Sequence, residues 1–306
     1  MFDTEPRVLC PLVTPFESVD SDGDAGVDTD ALASIVSHLA DAGVDGFVPC
    51  GTTGEFASLT PEERRRVVET TVDAAPDDAP VIAGAADTSV ESVHRRIGEV
   101  ADAGADAALV VPPYYVTAQE PSGNRAFFQA VADGSDLPVV LYNVPKYAHD
   151  ALEAETVAAM ADHDAVVGLK DTSGDLTRVI EVLDRVPDSF RVFQGFDGQL
   201  VPGLYVGMAA GVNALSHAIP GALNEAVEAV RAGDHDRALA IQRDAVTPLF
   251  RRGAEYGFAA TTKVLLAHRG LLDSVAVRPP LDSLDSDERD DVESTLDRVD
   301  DAVDEF

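Results

Sequence analysis

Lysine is scarce in this chain of 306 residues, since only Lys146, Lys170 and Lys263 occur. Arginine carries the rest of the positive charge, and 22 basic residues face 55 acidic ones, for a formal net charge of -33. Such an acidic excess repels nucleic-acid phosphates and anionic lipids, so neither class of partner is expected. It also predicts a surface suited to concentrated salt, as in a protein of an extreme halophile, with an ordinary acidic enzyme as the alternative.

Long apolar runs are absent too. No run approaches the ~18 consecutive apolar residues of a membrane-spanning helix. The first five residues have neither the basic start nor the apolar stretch of a signal peptide, so we expect a cytoplasmic protein. Only two cysteines occur, Cys10 early in one predicted strand and Cys50 at the end of another. We therefore expect free thiols rather than a disulfide.

Several motifs that would define other classes of enzyme are missing. There is no G-x-G-x-x-G, no P-loop and no G-x-S-x-G, which argues against a dinucleotide fold, an NTPase and a serine hydrolase. The histidines have no ligand spacing, so the sequence predicts no metal site.

Short apolar runs alternate with amphipathic segments of helical length, the pattern of repeated βα units. The phrase Ala-Asp-Ala-Gly-Val-Asp at 40–45 recurs as Ala-Asp-Ala-Gly-Ala-Asp at 101–106, with glycine where a helix must stop. The predicted strands cover residues 8–13, 44–49, 81–84, 107–111, 139–142, 165–169, 191–194 and 211–214.

Eight such units fit a closed (β/α)8 TIM barrel better than an open doubly wound sheet. After the last strand, helices are predicted at 221–232, 235–252, 259–268 and 287–304. The first should close the barrel, so we predict a catalytic barrel over residues 1–232 and an extension of three helices over 233–306. The spacing of Val292, Leu296, Val299 and Val303 predicts that the last helix docks one apolar face.

The apolar run at 166–171, Val-Val-Gly-Leu-Lys-Asp, predicts a buried strand that ends at Lys170. An amine at the rim of an apolar interior loses solvation when charged, so burial favours the free base that attacks carbonyl carbon. Lys170 is thus a candidate Schiff-base nucleophile. The alternative is a lysine that leaves the sheet and extends to water.

Reactive groups of such barrels cluster at the carboxyl ends of the strands, where further candidates occur. Tyr142 closes strand five, next to the strand of Lys170, and its phenol could relay a proton. The alternative is a packed aromatic with a hydrated hydroxyl. Residues 112–115, Pro-Pro-Tyr-Tyr, follow strand four and form either a stiff loop or an aromatic presented to a site.

The loop after strand two has the sequence Gly51-Thr52-Thr53-Gly54-Glu55 and precedes a helix that opens with a capping box at 60–63. Its glycines allow close backbone approach to a ligand, its amides can hold a carboxylate, and its threonines add hydroxyls. The alternative is a tight turn with no ligand.

Taken in order, these motifs resemble the dihydrodipicolinate synthase and N-acetylneuraminate lyase family of pyruvate-dependent class I aldolases. The resemblance runs from about residue 8 to the C-terminus. It rests on Thr-Pro-Phe at 14–16, Gly-Thr-Thr-Gly-Glu at 51–55, Pro-Tyr-Tyr at 113–115, Tyr-Asn-Val-Pro at 142–145, Gly-Leu-Lys-Asp at 168–171 and Gly-Val at 211–212.

The resemblance implies a barrel with a C-terminal helical part, usually a tetramer of tight dimers, and a reaction that needs no metal or organic cofactor. Lys170 would form the Schiff base with pyruvate, Tyr142 would shuttle protons and Thr52 would hold the phenol. Thr53 and the loop amides would bind the carboxylate, and Tyr115 would reach into the neighbouring subunit's site. The implied substrate contacts are Gly51, Thr53, Gly54, Tyr147, Gly195 and Val212.

One position departs from the pattern. Lysine-pathway synthases resemble Tyr-Asn-Val-Pro-Ser-Arg after strand five, with the arginine holding the carboxylate of aspartate semialdehyde, whereas this chain has Lys146 and Tyr147. We therefore expect cleavage of 2-keto-3-deoxygluconate or its 6-phosphate to pyruvate and a glyceraldehyde. The alternative is 4-hydroxy-tetrahydrodipicolinate synthase.

A substrate phosphate would be met first by Lys146 and by the Arg251-Arg252 pair, unless that pair is only a hydrated helix end. A more distant alternative is a keto-acid sensor without turnover. A binding module needs no amine and proton relay together, which argues against it.

Overall fold

Eight parallel strands form one sheet in this computed structural model, which describes residues 6–17 and 26–304. The strand order is β2-β1-β8-β7-β6-β5-β4-β3, and a parallel bridge between Phe47 and Val81 brings β2 and β3 together. The predicted TIM barrel is therefore confirmed. The strands are β1 Val8–Cys10, β2 Gly46–Phe47, β3 Ile82–Gly84, β4 Ala107–Val110, β5 Val139–Asn143, β6 Val166–Asp171, β7 Arg191–Gln194 and β8 Ala210–Val212.

Helices connect the strands and cover the outside of the barrel. They are α1 Thr29–Asp41, α2 Pro61–Ala74, α3 Val90–Asp102, α4 Pro121–Asp133, α5 Pro145–Ala148, α6 Ala154–Ala161, α7 Leu176–Leu183, α8 Leu200–Tyr205 and α9 Pro220–Ala232. The repeated phrase has the predicted effect, because Gly43 (φ +85°) and Gly104 (φ +93°) adopt the left-handed conformation just after α1 and α3. At the start of α2, Thr60 and Glu63 form the predicted capping box.

Two of the predicted strand ends differ from the structure in ways that concern the site. β1 ends at Cys10, because Pro11 follows and has no N–H to donate to a neighbouring strand. β6 continues past the predicted end at residue 169, so Lys170 lies within the strand.

The inside of the barrel is filled by strand side chains, among them Leu9, Ile82, Val140 and Phe193. Larger apolar clusters lie between the strands and the surrounding helices. This dense interior holds the strand ends in fixed positions, so side chains there are pre-oriented.

Four segments follow the barrel strands and α9: α10 His235–Ile241, α11 Thr247–Tyr256, α12 Phe258–His268 and α13 Ser286–Asp304. A wider π turn over Gln242–Val246 joins α10 to α11, so the helix predicted at 235–252 runs on to Tyr256.

The predicted apolar face of the last helix is confirmed, because Val292, Leu296 and Val299 of α13 are buried in one cluster with residues of α9 and α12. The division of the chain at residue 232 stays a prediction. No helix of the described residues is both long and apolar enough to cross a membrane.

Candidate functional site

Lys170 and Tyr142 are register partners on the adjacent strands β6 and β5. Both side chains are buried, and Nζ of Lys170 lies 4.4 Å from the centre of the Tyr142 ring. The negative face of an aromatic ring favours a nearby ammonium group. The structure thus brings together the amine and the phenol that the strand ends predicted to be neighbours.

Thr52 completes a chain of polar groups with these two residues. Its Oγ1 lies 3.4 Å from the hydroxyl of Tyr142, and either oxygen can be the donor. Residues 51–54 form the tight loop after β2 in which Thr52 and Thr53 sit. Thr14 Oγ1 donates to the carbonyl of Gly54 at 2.7 Å. A Cβ on Gly54 would lie 2.8 Å from the carbonyl oxygen of Leu12, so this position needs glycine.

A cavity of about 420 Å³ opens over these groups at the carboxyl ends of the strands. Its volume is suited to a small ligand. The predicted site residues that line it are Thr52, Thr53, Tyr142, Tyr147, Lys170, Gly195 and Val212, and Lys146 lines it as well. Gly51 and Gly54 shape the loop backbone instead.

Gly195 makes room for the lysine. A Cβ at this position would lie 2.9 Å from Cε of Lys170 and 2.2 Å from Oγ1 of Thr172. Any larger residue would therefore force the side chains of Thr172 and Lys170 to shift.

Tyr115 lies outside this cavity. Its side chain is 94% exposed, and its backbone is in the left-handed region with φ +76°. The implied reach of Tyr115 into a neighbouring subunit stays a prediction. Tyr114 is turned inwards, packs edge-on against Phe56 and lines a second, mostly apolar cavity of about 240 Å³ that shares Thr52 and Tyr147 with the first. Burial raises the pKa of the Tyr114 phenol.

The cavity carries few cations. Among its described lining residues the basic ones are Lys146 and Lys170. Arg251 and Arg252 are not part of the lining, and Arg252 pairs with Asp291 at 2.8 Å and with Glu255 at 3.3 Å. The pair is therefore not a phosphate site of this cavity, and it lies within α11 rather than at a helix end.

The third lysine has a different environment. Lys263 of α12 is fully buried, and its Nζ donates to the carboxylate of Glu55 at 2.6 Å. Lys170 instead opens into the cavity.

The C-terminal helices supply a wall of the cavity that the sequence did not predict. Phe250, Tyr256 and Phe258 line it from α11 and α12. The Phe250 ring lies 4.8 Å from that of Phe196 and 5.8 Å from that of Phe258. The spacing of apolar residues on α11 indicates a buried face. That pattern does not show which element of the barrel this face packs against.

Asp197 is a second residue that the sequence did not single out. It lies in the cavity wall after β7, and its carboxylate accepts a hydrogen bond from the backbone N–H of Leu215 at 2.8 Å. Burial raises the pKa of this carboxyl group. Its contact ties the loop after β7 to the loop after β8.

Comparison with known proteins agrees with this geometry. The model of the Dihydrodipicolinate synthetase family matches residues 5–299. The 4-hydroxy-tetrahydrodipicolinate synthase of Methanoculleus marisnigri is 36% identical over 282 residues, covering 91% of this chain and 94% of the relative. An uncharacterized DapA-like lyase of Halobacterium salinarum is 36% identical over 293 residues, covering 94% and 92%.

Solved structures give the same result. The dihydrodipicolinate synthase DapA-2 of Bacillus anthracis superposes with a TM-score of 0.90 at 29% identity, covering 97% of this chain and 99% of that one. The chloride-inhibited dihydrodipicolinate synthase of Acinetobacter baumannii, solved with pyruvate, has a TM-score of 0.89 at 28% identity, with coverage of 97% and 99%.

Proposed function

Because the chain belongs to the dihydrodipicolinate synthetase family, whose members are Schiff-base carbon-carbon lyases, we propose that Lys170 is its amine and pyruvate the keto acid. The observation that carries the proposal is the register pairing of Lys170 with Tyr142 at the floor of the cavity. Lys263 is held in an ion pair away from this floor, and the Lys146 side chain belongs to the exposed helix α5.

The chemistry follows from this placement. The free amine of Lys170 attacks the ketone carbon of pyruvate, and loss of water gives a protonated imine. The imine draws electrons from the methyl group, which loses a proton to form an enamine. The enamine carbon then adds to an aldehyde, and water releases the product from the lysine. The reverse sequence cleaves the same bond.

The proton transfers in this sequence need a group that both donates and accepts. The Tyr142 hydroxyl, 3.4 Å from Oγ1 of Thr52 on a ring that Nζ of Lys170 contacts, can take either role. We propose that Thr53 and the backbone amides of residues 51–54 bind the pyruvate carboxylate, since consecutive N–H groups of a tight loop form an anion site.

For the aldehyde, the names of the relatives favour the alternative over the expected sugar acid. We propose that the acceptor is aspartate semialdehyde, as in the 4-hydroxy-tetrahydrodipicolinate synthases. Lys146 is the cation in the cavity wall that can meet its carboxylate.

Cleavage of 2-keto-3-deoxygluconate or its 6-phosphate is the second candidate. The observation that favours it is the half-exposed Tyr147 in the cavity wall, which offers one neutral hydroxyl where a guanidinium would offer two charge-assisted bonds.

We also propose a homo-oligomer, as is common in the family, and a tetramer as its form. The 94% exposure of Tyr115 supports this, since a large aromatic in a left-handed conformation is expected to have a partner. Light scattering in high salt gives the mass directly. A monomer with full activity would contradict the proposal.

Two experiments test the function. Incubation with pyruvate and borohydride should reduce the imine to a stable adduct that peptide mapping assigns to Lys170. An adduct on Lys146 or Lys263, or none at all, would exclude the mechanism. The acceptor is then identified by comparing kcat/KM for aspartate semialdehyde plus pyruvate with kcat/KM for 2-keto-3-deoxygluconate and its 6-phosphate.

A further inference from the structure

Glu55 and Lys263 form an ion pair whose two side chains are entirely buried, with Nζ 2.6 Å from Oε1. Lys263 also donates to the carbonyl of Ala276 at 2.6 Å, and Oε2 of Glu55 accepts from the backbone N–H of Arg278 at 2.9 Å. Glu55 ends the loop that carries Thr52 and Thr53, whereas Lys263 belongs to α12. The pair thus connects the loop after β2 to the C-terminal helices.

The backbone at Glu55 is strained. Its φ of +54° lies in the left-handed region, which residues other than glycine rarely adopt. Cys50, at the other end of the loop, has φ +55°. Such conformations persist only where the surrounding structure holds them. At Glu55 the holding contacts are the bonds from Lys263 and Arg278 to its carboxylate.

This strained residue is directly coupled to the site. The N–H of Glu55 donates to the carbonyl of Thr52 at 3.1 Å, and Oγ1 of the same threonine lies 3.4 Å from the Tyr142 hydroxyl. A change of φ at Glu55 would therefore move Thr52 relative to Tyr142. It would also move the amides next to Thr53.

A contribution to folding stability does not by itself explain why this ion pair is buried. Burial lowers the pKa of Lys263 to about 8, against the opposing effect of Glu55, so desolvation of the ammonium outweighs the attraction. Buried ion pairs are often no more stabilising than apolar residues of similar volume. The pair does what an apolar contact cannot, because it fixes the direction of a carboxylate and thereby the backbone that bears it.

A second contact holds the same segment. Arg278 forms two parallel bonds with Glu63, Nη2 to Oε1 at 2.6 Å and Nη1 to Oε2 at 2.8 Å. Both cations also lie against the ring of Phe16, with Lys263 Nζ 4.1 Å and Arg278 Cζ 4.4 Å from its centre. The partners of Glu55 are themselves fixed, as a positioning role requires.

We infer that Glu55 and Lys263 are positioning residues, which set the geometry of Thr52 and Thr53 from the C-terminal helices and thereby tune pyruvate binding. This inference rests on the proposed function, in which the loop binds the pyruvate carboxylate. Neither residue lines the cavity that contains Lys170. Their loss should therefore raise KM for pyruvate and leave the amine of Lys170 reactive.

The test uses the full chain in high salt and three variants. Glu55→Gln keeps the shape but removes the charge, and Glu55→Gln combined with Lys263→Met leaves no unpaired buried charge. Asp300→Asn is the matched control, because it breaks the Arg269–Asp300 ion pair of 2.6 Å between the end of α12 and α13 without touching the loop. Thermal unfolding, KM for pyruvate and KM for the aldehyde are measured for each.

Both Glu55 variants should raise KM for pyruvate at least ~10-fold while KM for the aldehyde changes less than ~3-fold, and borohydride should still trap Lys170 at saturating pyruvate. Asp300→Asn should leave both KM values unchanged. An unchanged KM for pyruvate in folded Glu55 variants would overturn the inference. So would failure of both to fold when Asp300→Asn folds, since the pair would then serve stability. Absence of an adduct in the wild-type chain would instead count against the proposed function.

Discussion

The amino group of Lys170 lies 4.4 Å from the ring centre of Tyr142, its cross-strand partner in register. In the proposed mechanism one strand would therefore supply the nucleophile and its neighbour the proton carrier. Because adjacent strands of a packed barrel hardly move against each other, the relative position of the two groups is set before any substrate binds.

Tyr142→Phe removes the hydroxyl and keeps the ring. The variant should still form some imine, but turnover should fall at least ~10²-fold, the lower end for loss of a general acid or base. Tyr256→Phe is the control, because Tyr256 lines the same cavity while its hydroxyl donates to Asp291 at 3.0 Å. Steady-state kinetics check both. Near wild-type turnover in Tyr142→Phe would remove the phenol from the relay.

Thr52→Val replaces a hydroxyl with a methyl group of similar size, and Thr52→Ser retains the hydroxyl. The Oγ1 of Thr52 lies 3.4 Å from the Tyr142 hydroxyl. A neutral hydrogen bond contributes about 1 kcal/mol, so kcat for Thr52→Val should fall roughly fivefold or more, with Thr52→Ser closer to wild type. Equal rates for the two variants would show that the hydroxyl is not used.

Tyr147→Arg should convert the neutral position in the cavity wall into a carboxylate clamp. A bidentate charged pair exceeds one neutral bond by about 1.5–3 kcal/mol, so kcat/KM for aspartate semialdehyde should rise roughly ten- to a hundredfold. Tyr147→Phe is the comparison that removes only the hydroxyl. No gain with arginine would mean that this side chain does not face the acceptor.

Protonation of His217 should lower the free energy of unfolding in mild acid. His217 Nδ1 donates to the carbonyl of Ala214 at 2.8 Å, and its Nε2 accepts from the N–H of Val13 at 3.2 Å, which requires the neutral ring. Burial lowers the pKa of His217 to about 4 from the ordinary 6.5. Its contribution is therefore fully present above pH ~6.5 and is lost as the pH falls towards ~4, to a total of about 3 kcal/mol.

The measurement is the free energy of unfolding of wild type and of His217→Gln between pH 7 and pH 4, in constant high salt. Carboxylates titrate in both proteins, so their effect cancels in the difference. The wild type should lose stability more steeply than the variant. Parallel curves would mean that His217 does not titrate differently in the folded and unfolded chains.

The net charge of -33 predicts that the folded protein, and the oligomer proposed for it, need molar salt. At ~0.1 M salt the Debye length is about 10 Å, so carboxylates repel one another across the surface. Dialysis to that concentration should therefore abolish activity and dissociate the oligomer, as followed by assay and light scattering. Full activity and unchanged mass at ~0.1 M would contradict the halophile interpretation.

The barrel and the core of the site could be predicted from the sequence because both depend on local patterns. Apolar runs of strand length define each strand, and glycines such as Gly43 and Gly104 end the preceding helices. Once the strands are assigned, parallel order places Lys170 next to Tyr142. The contact between Tyr142 and Thr52 was expected only from the family resemblance, because β2 is not adjacent to β5.

The Glu55–Lys263 pair and the aromatic wall of Phe250 and Phe258 could not be predicted in this way. Glu55 and Lys263 are 208 positions apart in the sequence, and neither belongs to a repeating pattern that points to the other. The C-terminal helices show which faces are apolar, but their docking depends on tertiary packing. The acceptor aldehyde could not be predicted for a similar reason, because in the proposed function its recognition would depend on a few side chains of the loop after β5.

The π turn at Gln242–Val246 makes the aromatic wall of this cavity tolerant of changes in chain length. Such a turn corresponds to one additional residue within an otherwise regular helix. Because the wider turn absorbs that residue, its deletion would restore a regular helix and leave Phe250 facing Phe196. Insertion or deletion of a single codon at this turn should therefore leave both the aromatic wall and the strand bearing Lys170 in place.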